Sequence, residues 1–216
     1  MTTFPGSPKL PKGSIVAIDA TTNQVVSTVT FQYNPVSLSR TLQPRVAAGD
    51  DNTREEALRL EGAPTETLKL DIEFDATDAL EKADATAIEF GVYPQLAALE
   101  TLIYPTTGQV VTNMEMADVG TIEIVPVEAP LTLLSWGKKR VVPVRLTDFS
   151  ITEDAYDVNL NPIMAKVSLG LRVLNYDDLP WGSLSSKLFL AHHRQKERMA
   201  RKGGLPNPAA ISSVRI

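Results

Sequence analysis

From Leu68 to Asp75, eight consecutive residues alternate between apolar and polar side chains. Leu68, Leu70, Ile72 and Phe74 fall on one side of an extended chain, and Lys69, Asp71, Glu73 and Asp75 on the other. This period of two marks a β-strand in a sheet with one buried and one wet face. It commits the chain to a mainly β fold, and the pleat makes that strand's outer face acidic.

Other segments carry the same signature. Ile15 to Ile18 and Val25 to Tyr33 read as strands, with Thr21-Thr22-Asn23-Gln24 as the turn between them. The second of these runs into Asn34-Pro35. Asn34 can bond its own backbone and Pro35 fixes φ, so the chain stops sharply there. It leaves as another extended stretch towards Arg45. Ile122 to Val125 reads as a strand. Leu131 to Trp136 and Arg140 to Leu146 flank Gly137-Lys138-Lys139 as a hairpin, and Phe149 to Glu153 continues its second strand. Pro143 lacks an amide hydrogen, which predicts an edge or a bulge at that point. After a polar turn from Asp157 to Pro162, Val167, Leu169, Leu171 and Val173 alternate with Lys166, Ser168, Gly170 and Arg172.

Helical signals are fewer. Residues 77–90 read as a turn or short helix. Pro94 to Ile103 is a better helix, with Pro94 in its first turn and Pro105 after it; Leu96, Leu99 and Ile103, with Leu102, make one face. Ser185 to Lys202 is the long one, with Leu188, Phe189, Ala191, His192 and Met199 as a partly apolar stripe and Gly203-Gly204 at its end. Residues 1–13 read as a flexible arm, 46–65 as a long exposed loop and 205–216 as a disordered tail.

The 216 residues include no cysteine, which excludes disulfides and thiolate metal sites. The first residues lack a basic stretch followed by an apolar run, and no apolar stretch approaches the roughly 18 residues of a membrane helix. The expectation is a cytoplasmic chain with no membrane insertion. Its net charge of −5 is uneven: residues 187–216 hold seven Lys/Arg against one acid, leaving −11 for the remaining 186. An acidic body with a basic tail suggests that one copy's tail rests on another's body. Nucleic acid is not expected as a partner, because the acidic body repels phosphate and the strands offer no basic-aromatic interleaving.

No constellation for chemistry emerges. His192 and His193 are adjacent on a helix, point about 100° apart, and cannot grip one ion together. They read as ordinary polar helix residues. Asp71, Glu73 and Asp75 are explained by strand alternation rather than as a glycosidase pair or calcium site, and Glu153, Asp154 and Asp157 lack a calcium-loop spacing. Phosphate loops and the G-x-S-x-G elbow are absent. The reading is therefore no enzyme, no cofactor and no metal.

Several pieces, in order, resemble one family: Phe31-Gln32-Tyr33-Asn34-Pro35 followed by Ser37-Leu38-Ser39-Arg40; Leu70-Asp71-Ile72-Glu73-Phe74-Asp75-Ala76-Thr77-Asp78; Tyr93 to Glu100 with Tyr104-Pro105; Val142 to Glu153; and Ala165 to Leu174. Residues 14–180 resemble the tube-related baseplate proteins of phage-tail-like contractile injection systems, in their actinobacterial version. The resemblance implies a non-enzymatic, tail-tube-like rolled antiparallel sheet or barrel with one short helix. It implies copies packed side by side as a ring of six, joining the inner tube to the spike, with tail-tube, spike and other baseplate proteins as partners in phage-tail-like particles. Many members carry a LysM module after this domain; no such unit fits after Leu179.

The domain plan is thus an arm (1–13), a tube-like β domain (14–180) containing the loop 46–65, a basic helix (181–204) as C-terminal extension, and a tail (205–216). Contacts between copies are assigned to the Asn-Pro corner and the extended stretch after it (Asn34, Pro35, Arg40, Arg45), to the loop (Arg54), and to the terminal helix (Leu188, Phe189, Arg194, Arg198). The rival reading is a stand-alone β-barrel that binds a peptide or glycan in an aromatic groove including Trp136 or Trp181.

Overall fold

A computed structural model describes residues 11–19, 22–46, 59–118 and 129–203. The expected arm up to residue 10, most of the loop 46–65 with Arg54, the strand Ile122 to Val125 and the tail 205–216 lie outside the described residues.

Seven strands form one antiparallel sheet: β1 (Ser14–Ile18), β2 (Val25–Thr30), β3 (Leu38–Gln43), β4 (Thr65–Asp75), β5 (Leu131–Ser135), β6 (Val141–Tyr156) and β7 (Pro162–Val173). Their spatial order is β2-β1-β5-β6-β7-β4-β3, so β2 and β3 are the two edges among the described residues. The sheet is open, which corrects the barrel expectation: no ladder joins β2 to β3 among the described residues. The helices are α1 (Thr77–Glu81), α2 (Ala85–Phe90), α3 (Tyr93–Glu100), α4 (Thr107–Asp118) and α5 (Leu184–Gly203), more than the single short helix and terminal extension expected.

Strand periodicity builds the core. On β4 the four apolar residues are buried while Lys69, Asp71 and Glu73 are exposed. β7 pairs with it, Leu70 opposite Leu169 and Leu68 opposite Leu171, so their inward residues share one face. The same core takes Val142 and Val144 from β6, Leu134 from β5, Ile15 from β1 and Val29 from β2.

The two ends of this sheet approach each other. Gln32 follows β2, and Asp75 ends β4, five strands away in the order. A flat sheet would hold those strands about 24 Å apart. Instead the Gln32 side chain donates to the Asp75 carbonyl (2.7 Å) and accepts from the Asp75 amide (2.9 Å). The sheet therefore bends over its apolar face, and a side-chain amide bridges the gap that the ladder leaves open. Val92, Leu96, Leu99 and Leu102 fill the enclosed space. Ile103, expected on that face, is exposed, because the helix has already ended at Glu100.

Pro143 is neither on an edge strand nor at a bulge. β6 lies between β5 and β7, and Pro143 sits just where the β6–β7 ladder ends, one residue before the Val144–Val173 pair. Its carbonyl accepts from Leu174 (2.9 Å), so its missing hydrogen costs only the last rung on that side. The irregularity in β6 falls between Leu146 and Asp148 instead.

Gly91 joins α2 to α3 at φ +60°, and a Cβ there would lie 2.1 Å from the Pro162 carbonyl oxygen. That carbonyl also accepts from Val92, and Asn161 donates to the Glu89 carbonyl, so this joint seats the helices on the β6–β7 turn. Gly91→Ala should destabilise the fold by more than about 2 kcal/mol, seen as a lower midpoint of thermal unfolding. Gly108, in α4, has open space around it and should behave oppositely. Gly108→Ala should leave stability unchanged or raise it by up to about 1 kcal/mol.

Candidate functional site

Glu66 continues the inward phase of β4, so the pleat carries a carboxylate to the side where Leu68 and Leu70 lie. It is 5 % exposed. An ion taken this far from water must be paired. Two cations meet it, one on each oxygen. Arg40 lies on β3 opposite Leu68, diagonal to Glu66, and places Nε 2.8 Å and Nη2 2.6 Å from Oε1. Lys196, from α5, places Nζ 2.8 Å from Oε2. Burial alone would raise the Glu66 pKa; the hydrogen bonds and charges of Lys196 and Arg40 outweigh it and hold the carboxyl below its ordinary range.

Helix α5 reaches Glu66 because its inward residues recur at helical spacing. Ser185, Phe189 and His192 are buried, and Lys196 follows four residues on. Ser183 accepts from the Ser186 amide at the helix start (3.3 Å). Phe189 packs edge-on against Tyr176, their centroids 5.8 Å apart. Beyond Lys196 every described residue of the helix is exposed, so the helix leaves the body there. Ala191 and Met199, read as part of the apolar stripe, point outward.

His192 lies on the inward stripe, as the sequence placed it, but is not the ordinary polar helix residue that the sequence also suggested. It is 7 % exposed, and its Nδ1 has no hydrogen-bond partner. Burial, followed by the charge of Lys196, lowers its pKa from 6.5 to about 4; Arg140 and Arg40 push the same way, Glu66 against. The imidazole is therefore neutral at pH 7. Arg140, at the foot of β6, completes the group. Burial and then the nearby charge of Arg40 lower its pKa, with Glu66 opposing.

The remaining interaction residues sit apart from this cluster. Asn34 serves the fold itself: its Oδ1 accepts from the Gly13 amide (2.8 Å) and its Nδ2 donates to the Pro11 carbonyl (3.0 Å). Pro35 is half-buried beside it. Arg45 pairs with Asp177 at 2.8 Å, and the Val46–Leu60 bridge pins the two chain segments together at that point. Leu188 is half-buried, Phe189 belongs to the core, and Arg194 and Arg198 are exposed on α5.

Among the described residues the two sheet edges, β2 and β3, have no further strand. On β2, Val25 and Val26 are 61 % and 65 % exposed. Among the described residues β2 pairs only with β1 and β3 only with β4. Helix α4 has no buried residue at all.

Three of the carboxylates considered for chemistry have structural duties. Asp71 accepts from Ser168 Oγ (2.6 Å), Asp75 from the Thr77 amide (2.8 Å), and Asp157 from the Asn159 and Asn161 amides (2.7 and 2.8 Å). Trp136 packs against Phe31 with centroids 6.3 Å apart, while Trp181 is 76 % exposed. Among the described residues, no three of His, Asp and Glu are grouped as a metal ion requires, and no helix is long and apolar enough to cross a membrane.

His192 and Glu66 both have folded-state pKa values below their unfolded ones. The folded protein then binds fewer protons than the unfolded chain, so stability falls as pH falls. For His192 the window runs from pH 6.5 down to about 4. At about 1.4 kcal/mol per pH unit the loss approaches about 3 kcal/mol; the Glu66 share is lost lower still. Denaturant unfolding at pH 7 and pH 4.5 should show this drop, and His192→Leu should remove most of it. An equal drop in that variant would assign the acid sensitivity elsewhere.

Residues 9–179 match the family described as contractile injection system tube protein. No curated protein matches the chain. The matched stretch ends before α5 begins.

Proposed function

Because this chain belongs to the contractile injection system tube protein family, we propose that it is the baseplate member that joins the inner tube to the spike complex. Its work is mechanical. Copies arranged as a ring, six in the simplest form, would adapt the tube to the spike and bear the load when the sheath shortens.

The family match is the observation that carries this reading. The open sheet supports it. Unpaired strand edges can take up strands from a neighbour through main-chain hydrogen bonds. A ring needs two different surfaces that meet on rotation, and β2 and β3 are two different edges. The basic α5, outside the matched stretch and clasped to Glu66, gives this chain a feature for recognising a partner. The rival binding module finds no comparable support: Trp136 is engaged with Phe31.

The test is to express the chain with an affinity tag beside sheath, tube and spike proteins, purify the particles and label the tag for electron microscopy. Label at one end of the tube, beside the spike, is the expected result. Label along the whole tube would make the chain a tube subunit rather than a baseplate one. Particles complete without the chain would refute the proposal.

A further inference from the structure

Glu66 has more cations near it than it has ion pairs. Arg40 and Lys196 already occupy its two oxygens. Arg140 stands close enough for their charges to interact, yet its guanidinium has no hydrogen bond or ion pair among the described residues. Its position is fixed: the Trp136 amide donates to the Arg140 carbonyl (2.7 Å) across a turn with Gly137 at φ +67°. That turn also presents Lys138 and Lys139, both exposed. Three cations thus stand near one carboxylate, and two more share the exposed turn that ends at Arg140.

Elsewhere the charge is of opposite sign. Cross-strand register on the outward face of β4, β7 and β6 puts Thr67, Arg172 and Arg145 in one row. Eight residues along β4, about 26 Å away, Asp75, Met164 and Asp154 form another. At the first row Arg172 is paired with Asp178 (2.6 Å), which leaves Arg145; the second row is acidic, and α1 adds Asp78 and Glu81 just beyond Asp75.

We propose that Arg140, with Lys138, Lys139 and the Arg40–Lys196 pair, is a socket for carboxylates at the Asp75–Asp154 end of a second copy of this chain. The socket has charge to spare, and the acidic row is the complementary surface that the same molecule carries at a distance. Because socket and row lie apart on one copy, the contact runs head to tail. Opposite charges would fix its register and speed encounter. The favoured occupant is protein rather than nucleic acid, since the acidic remainder of the surface repels a polyphosphate. This inference rests on the proposed assembly role and specifies one of its contacts.

The test uses the full chain. Self-association is measured by sedimentation at low and high salt for the wild type, Arg140→Glu, Asp154→Arg and the double variant; circular dichroism checks folding. Lys139→Glu, in an exposed turn, serves as a second probe should Arg140→Glu unfold. Each single reversal should weaken association by about tenfold or more, high salt should do the same to the wild type, and the double reversal should restore it. Because the chain has no cysteine, Arg140→Cys mixed with Asp154→Cys should also give a dimer with a short bis-maleimide. Single reversals without effect, a double variant no better than either, or a wild type that stays monomeric at low salt would overturn the socket. So would Arg140-dependent binding of a 20-nucleotide single strand by a monomeric chain. Particle labelling judges the assembly role separately: normal incorporation of Arg140→Glu would sink the socket and leave that role standing.

Discussion

A sheet that is apolar on one side must keep that side dry, and this one does so without closing its ladder. Seven strands in an open order would leave β2 and β4 far apart, yet Gln32 holds the Asp75 main chain with two hydrogen bonds. Those bonds mark where curvature brings the two ends of the sheet over a common core. The space inside the bend is filled by Leu96, Leu99 and Leu102 from the α3 region and, at another margin, by Phe189 of α5. The geometry of a bent open sheet accounts for the other features: an enclosed core, a wet outer face and, among the described residues, two unpaired edges.

The margin under α5 is held differently from the rest. Phe189 against Tyr176 supplies apolar contact, which tolerates sliding and rotation of a helix. Two ion pairs to the two oxygens of one carboxylate do not. Glu66 therefore sets the register of α5 against β3 and β4, and it does so with a group that would be costly to bury alone. The helix it anchors lies beyond the stretch shared with the family. That helix is fastened by charge at its middle and leaves the surface beyond Lys196, where its remaining cations face outward.

Much of this was legible in the chain. Alternation placed β4 and β7 on their correct faces, and turn residues located the β5–β6 hairpin, because both signals are local. The missed elements depend on distant partners or on weak local signals. Helix α4 buries nothing, so it has no apolar stripe to read; its one signature is Thr106-x-x-Gln109, where the Gln109 amide donates to Thr106 Oγ1 and the Thr106 amide to Gln109 Oε1. Pro143 suggested an edge because sequence does not reveal where a ladder stops. The Glu66 site was within reach: counting back by two from Leu68 puts Glu66 on the buried face, which requires a partner. That the partners would be Arg40 and Lys196 depends on where β3 and α5 pack. His192 was misread for the same reason, since its burial comes from the sheet beneath the helix rather than from its neighbours in sequence.

The open ladder also bears on how copies would meet in the proposed ring. A closed barrel would have no strand edges to protect, whereas an open sheet presents rows of unpaired N–H and C=O groups. Proteins that must stay single usually blunt such edges with charge, proline or a bulge. β3 carries Arg40, but that charge turns inward to Glu66. β2, Val25–Thr30, has no charged residue and no proline, its bulge lies on the pairing with β1, and two of its valines face water. An edge of this composition gains most from a neighbouring strand, which would satisfy its backbone and cover Val25 and Val26 together. Edge pairing is short-ranged and tolerant of register shifts, while charge acts at a distance and favours one register. A head-to-tail contact guided by the Arg140 cluster and completed along strand edges would combine the two, each supplying what the other lacks.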